Sequence, residues 1–108
     1  MSAGVLLTIA IVAEVAATVA LKASDGLSRP GPTVIVVVGY VFAFWLMAKI
    51  VQEIPVSVTY AIWSATGTAA VAALGVMLYG EPMGLIKATG LALIISGVVT
   101  LQFAQGSA

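Results

Sequence analysis

Glu14 is the residue whose type and position most demand a chemical explanation. It stands inside an apolar run, Gly4–Leu21, that is otherwise interrupted only by Thr8 and Thr18. Placing a charged side chain at the centre of a membrane helix costs about 2.5–3.5 kcal/mol on insertion scales. An ionisable residue retained in such a place is by default an ion or substrate site; the alternative is a neutral carboxyl that hydrogen-bonds a neighbouring helix as structural glue. On a helix, Leu7, Ala10, Ile11, Ala17, Thr18 and Leu21 share its side. The small or hydroxylic members, Ala10, Ala17 and Thr18, let another helix approach closely and leave room beside the carboxylate. Val5, Ile9, Val12 and Val19 form the side suited to lipid.

Tyr40 and Trp63 are the next candidates. Tyr40 shares a face with Ala43, Phe44 and Met47; Trp63 follows Tyr60 by one turn and precedes Gly67 by one turn. Membrane Trp and Tyr commonly lie in interfacial belts, which suits Trp45, Tyr79 and also Tyr60, but Tyr40 and Trp63 lie deeper in their runs. Aromatic faces beside a carboxylate suit a lipophilic cation, through cation–π attraction and a counter-charge; the alternative for both rings is core packing. Gly90 and Gly97 share a face with Ala88, Ala92 and Ser96 nearby. Such spacing marks a close helix contact, either a seam within the chain or a dimer interface. Lys49 and Lys87, at the ends of apolar runs, read as snorkelling to headgroups. Asp25, Glu53 and Glu81 read as solvated loop charges.

These residues need long apolar elements to position them. Of 108 residues, 62% are hydrophobic and 7% charged, with four cations, four anions and no His or Cys, and the mean hydropathy is +1.22. Eight charges cannot coat a soluble domain, which carries about 25% charged residues. Disorder requires low hydrophobicity, and nucleic-acid binding requires a basic stripe. Without Cys or His there is no disulfide framework, thiol nucleophile or ordinary zinc site, and no cofactor or metal is expected. The remaining class is an all-α integral membrane protein. A helix crosses a bilayer with about 20 apolar residues, and four segments qualify: residues 4–21, 33–50, 56–79 and 85–104. They form a single four-helix transmembrane domain over residues 1–108, with short loops that make neighbours antiparallel. Met1–Gly4 carries no basic region, so a signal peptide is not expected. Lys22, Arg29 and Lys87 against Lys49 give the first loop a marginal cytoplasmic bias, compatible with insertion in both orientations.

The chain resembles the small multidrug resistance family of bacterial transporters along essentially its whole length. The resemblance rests on Ala13-Glu14-Val15, the stretch from Leu21-Lys22 through Asp25-Gly26 to Arg29, and Pro32, Tyr40 and Ile54-Pro55. It extends through Thr59-Tyr60-Ala61-Ile62-Trp63-Ser64, Gly67, Glu81-Pro82 and the Gly90/Gly97 pair. It implies a non-enzymatic, proton-coupled exporter in the bacterial plasma membrane. Such exporters work as dimers, commonly antiparallel ones with dual topology. Glu14 of both subunits would bind protons or substrate, and Tyr40, Tyr60 and Trp63 would line the pocket. Gly90 and Gly97 of helix four would form the dimer contact.

The family's guanidinium exporters tend to carry Trp three residues after the glutamate and often a supporting Ser in helix two; here these positions are Ala17 and Ala43. Many quaternary ammonium exporters carry an aromatic where this chain has Gly4. The resulting expectation is a proton antiporter of lipophilic and quaternary ammonium cations. Its pocket would comprise Ala10, Ala17, Thr18, Tyr40, Ala43, Phe44, Met47, Tyr60 and Trp63 around Glu14. The partners expected are cationic small molecules, protons, the bilayer and a second copy of the chain, with no nucleic acid. Alternatives within the family are guanidinium export or service as one subunit of a paired heteromer. From other classes come a structural or regulatory membrane protein and a rotor-ring proteolipid. The last normally has two spans, and four spans with midplane aromatics argue against it.

Physically, desolvation disfavours the charged form of a carboxylate, and a second carboxylate nearby disfavours it further. Such a pair titrates as one coupled unit. Mutually exclusive occupancy by protons or a cation then yields antiport, with the dimer rocking about a midplane site.

Overall fold

A computed structural model describes residues 2–104. All regular structure among them is helical: α1 spans Ala3–Ala23, α2 Pro30–Ile50, α3 Val56–Tyr79 and α4 Leu85–Ala104. All four helices are long and apolar enough to cross a membrane. At about 1.5 Å per residue, their 20 to 24 residues match a hydrocarbon core of roughly 30 Å. The polar tail at residues 105–108, into which the fourth apolar run was read to end, lies outside the described residues, as does Met1. The chain forms two compact units that meet in sequence at Ile54 and Pro55.

In the first unit, α1 and α2 form a hairpin, and both helices exceed the sequence-based limits. At its start, α1 is capped by Ser2, whose Oγ accepts from the Val5 N–H at 3.2 Å. At its end, Lys22 and Ala23 remain helical because polarity does not terminate a helix. What terminates it is left-handed backbone at Asp25, Gly26 and Leu27, with φ of 51°, 72° and 67°. α2 begins at Pro30 rather than Thr33, since prolines in the first turn forfeit only N–H groups that have no helical partner.

Ser24, fully buried, holds the turn together. Its Oγ donates to the Leu21 carbonyl at 2.6 Å and accepts from the Leu27 N–H at 2.9 Å. Its carbonyl accepts from the N–H groups of Ser28 and Arg29 at 2.9 and 3.0 Å. Ser24→Ala would remove the acceptor for Leu27 at a strained position. Leaving a buried polar group unsatisfied costs about 1–3 kcal/mol, so a lowered melting temperature in detergent is expected.

The α1–α2 seam is set by small residues. A Cβ added to Gly39 would lie 2.8 Å from Ala17 Cβ and 3.1 Å from the Ala13 carbonyl oxygen. Glycine therefore permits a backbone approach that any other residue would obstruct. Leu7, Ala10, Val15 and Ala17 of α1 are buried, as are Val36, Ala43, Leu46 and Ile50 of α2. Val5 and Val12 are exposed, on the side read as suited to lipid, whereas Leu21, read on the Glu14 face, is exposed as well.

In the second unit, α3 follows Pro55 and ends at Gly80, whose φ of 64° is the left-handed conformation that stops a helix. The N–H groups of Gly80 and Glu81 donate back to the carbonyls of Val76 and Gly75, both at 3.2 Å. Glu81, read from sequence as a solvated loop charge, keeps a partly exposed side chain while its carboxylate folds over Gly75 and lies 3.8 Å from Lys87 Nζ. Lys87, read as snorkelling, also donates to the Pro82 carbonyl at 3.3 Å. α4 packs sparsely on α3 and buries none of its residues within the chain.

Candidate functional site

Glu14 lies midway along α1, on the side facing α2. The helical spacing of four residues brings Thr18 alongside, and Thr18 Oγ1 donates to Glu14 Oε1 at 3.0 Å. The same Oγ1 lies 2.6 Å from the Tyr40 hydroxyl oxygen of α2. The Gly39–Ala17 approach explains this meeting, because Tyr40 and Thr18 each follow one member of the contact pair in sequence. Glu14 Oε2 is buried with no hydrogen-bond partner among the described residues. A carboxylate oxygen left in that condition is costly and suits an incoming cation.

Around this cluster, Ala10, Ala17 and Ala43 are all fully buried. Ala17 lies against Gly39, so it serves the helix seam in addition to bordering Glu14. Tyr40 stacks on Phe44, with ring centroids 6.4 Å apart and planes at 26°. Phe44 is itself exposed, and Met47, one turn further, is half-buried. Trp45 and Phe42 form a second stack at 6.2 Å on the outer face of α2. Lys49 Nζ lies 4.7 Å from the Trp45 ring centroid, the arrangement of an interfacial aromatic beside a snorkelling cation.

In the second unit, Tyr60 and Trp63 meet edge to face at 5.9 Å and 70°. Tyr60 is 61% exposed, so a broad aromatic surface remains uncovered by the chain itself. On α4, a Cβ built on Gly90 or Gly97 meets nothing within 4 Å. Within the α3–α4 unit that small-residue face is open. Among the described residues there is no group of His, Cys, Asp or Glu side chains that could hold a metal ion.

Gly39 was missed by sequence reasoning, and it sets the register of the hairpin. Its only sequence signal is a lone glycine inside a run of β-branched residues, Val34-Ile-Val-Val-Val38.

The family described as "Small Multidrug Resistance protein" matches residues 3–94. The quaternary ammonium compound-resistance protein QacE of Escherichia coli is 41% identical over 102 residues, covering 94% of this chain and 93% of that protein. The multidrug resistance protein Mmr of Mycobacterium tuberculosis is 47% identical over 96 residues, covering 88% and 90%. The nicotine metabolites export pump subunit NepA of Paenarthrobacter nicotinovorans is 44% identical over 101 residues, covering 94% and 87%.

Proposed function

Because the chain belongs to the small multidrug resistance family of multi-pass membrane transporters, we propose that it exports lipophilic and quaternary ammonium cations in exchange for protons. The observation that carries this reading is the carboxylate of Glu14. It accepts a hydrogen bond from Thr18, one turn along the same helix, and leaves one buried oxygen without a partner among the described residues. Protons and a monovalent cation compete for that group, and Glu14 of two subunits shares one chamber. The four helices act as one transmembrane domain in the bacterial plasma membrane. The paired rings Tyr40–Phe44 and Tyr60–Trp63 supply faces for an aromatic or alkylated cation. Alternating access is the rocking of the dimer about this site.

The buried alanines Ala10, Ala17 and Ala43 favour such cations over guanidinium. They offer no side-chain acceptor for the several N–H donors of a small planar ion. A large lipophilic cation gains about 25 cal/mol per Å² of apolar surface buried, and each aromatic face adds roughly 0.5–2 kcal/mol. The kinship with QacE, whose name records quaternary ammonium resistance, points the same way. The test is competition in one liposome preparation. A quaternary aromatic cation is expected to be transported faster and bound more tightly than guanidinium, and the reverse order would refute the substrate assignment.

We assign the dimer contact to α4, because its Gly90 and Gly97 face is left open by α3. The two copies are antiparallel, in keeping with the small charge bias between loops. Gly97→Leu should weaken dimerisation in mild detergent and reduce transport with it; a variant that cross-links as fully as the parent would move the contact elsewhere. NepA is described as a pump subunit, which favours a second reading, a paired heteromer. Transport by the purified chain alone separates the two, since a strict heteromer would be inactive without its partner.

A further inference from the structure

The hydroxyl chain beside Glu14 has a direction. A threonine hydroxyl carries one proton and can donate it once. Thr18 donates to Glu14 Oε1 at 3.0 Å, so the 2.6 Å contact between Thr18 Oγ1 and Tyr40 Oη is made by the tyrosine proton. With Glu14 ionised, the chain runs from Tyr40 O–H to Thr18 O–H to the carboxylate. When Glu14 takes up a proton, the oxygen that has an acceptor for it is Oε1, facing Thr18. A proton on Oε2 would be a buried donor with no partner among the described residues. Oε1–H then donates to Thr18 Oγ1, the Thr18 proton turns to Tyr40 Oη, and the Tyr40 O–H keeps its proton but no longer donates it within the cluster. No proton passes between residues; the O–H bonds only reorient.

We propose that Thr18 is a positioning residue that carries the proton state of Glu14 to the Tyr40 hydroxyl. This rests on the reading of Glu14 as the titrating group of a transporter. With Glu14 ionised, the Tyr40 proton is engaged and its remaining lone pair faces outward, which favours a cation. With Glu14 protonated, the Tyr40 O–H is free to point its positive end outward, which disfavours one. The hydroxyl chain therefore sharpens the competition between proton and substrate in the same sense as the carboxylate itself. Among the titratable and charged groups of the α1–α2 unit, Tyr40 is hydrogen-bonded into this cluster. Lys22 lies eight residues past Glu14 in α1, and Lys49 nine past Tyr40 in α2. Asp25 and Arg29 lie in the connecting turn, and Glu53 follows α2.

The test follows Glu14 Cδ and Tyr40 Cζ by carbon-13 resonance across pH, using the full chain in lipid bilayers. Three proteins are compared: the parent, Thr18→Ser and Thr18→Val. In the parent and in Thr18→Ser, which keeps a hydroxyl, the Tyr40 signal should move with the Glu14 titration. In Thr18→Val, which keeps the branched shape without the hydroxyl, Glu14 should still titrate and the Tyr40 response should be lost. A Tyr40 signal that follows Glu14 equally well in Thr18→Val, or stays flat in the parent while Glu14 titrates, would overturn the role of Thr18 and leave the transport reading standing. A Glu14 signal that never titrates would overturn both.

Discussion

Glu14→Gln is expected to yield a folded, inserted protein that has lost proton-coupled export. The amide keeps the size of the side chain, and its oxygen can still accept from Thr18 Oγ1, which now lies 3.0 Å from Oε1. The hairpin should therefore survive, with helicity by circular dichroism unchanged. What disappears is the negative charge and the capacity to exchange a proton. Breaking a buried charge pair by removing one partner costs about 3–5 kcal/mol, so affinity for a quaternary cation should fall roughly a hundredfold or more. Glu14→Asp retains the charge but shortens the side chain by one methylene, drawing the carboxylate back from Thr18 and Tyr40. It should keep measurable binding with poorer coupling. Export by Glu14→Gln against a gradient at the parent's rate would show that the exchange chemistry lies elsewhere.

Gly39→Ala is expected to loosen the α1–α2 hairpin despite adding a single methyl group. That methyl would sit 2.8 Å from Ala17 Cβ and 3.1 Å from the Ala13 carbonyl oxygen. Both are rigid parts of a helix rather than the ends of flexible side chains, so the helices must move apart. Overpacking of this kind costs about 1–3 kcal/mol. It should also separate Tyr40 from Thr18, since each adjoins a member of the contact pair. Both thermal stability in detergent and transport should fall. Ala17→Gly combined with Gly39→Ala returns the displaced volume and should recover part of the stability, a coupling readable from a double-mutant cycle. If Gly39→Ala melts with the parent and transports normally, the close approach does not hold the site.

The four helices were legible in the sequence because long apolar runs bounded by Gly, Pro and charged residues permit little else. The helix ends were less so. The end of α1 depends on left-handed backbone at Asp25–Leu27 stabilised by Ser24, not on the polarity of Lys22. Glu14 drew notice because a carboxylate is conspicuous in a hydrocarbon run, and Thr18 followed from helical spacing. Which residue of α2 would reach Thr18 could not be read, because that requires the register of one helix against another. A single unremarked glycine sets that register. The ion pair of Glu81 with Lys87 escaped notice for a similar reason: it depends on how the chain folds back after Gly80.

The central claim is that a cation and a proton compete for Glu14, and proton release on binding tests it most directly. A quaternary aromatic cation is added to the purified protein in weakly buffered detergent, at a pH where the free protein holds protons, and the change in proton concentration is recorded. Release of protons in proportion to cation bound, abolished in Glu14→Gln, is the expected result. Saturable binding with no proton release, or release that persists in Glu14→Gln, would contradict it.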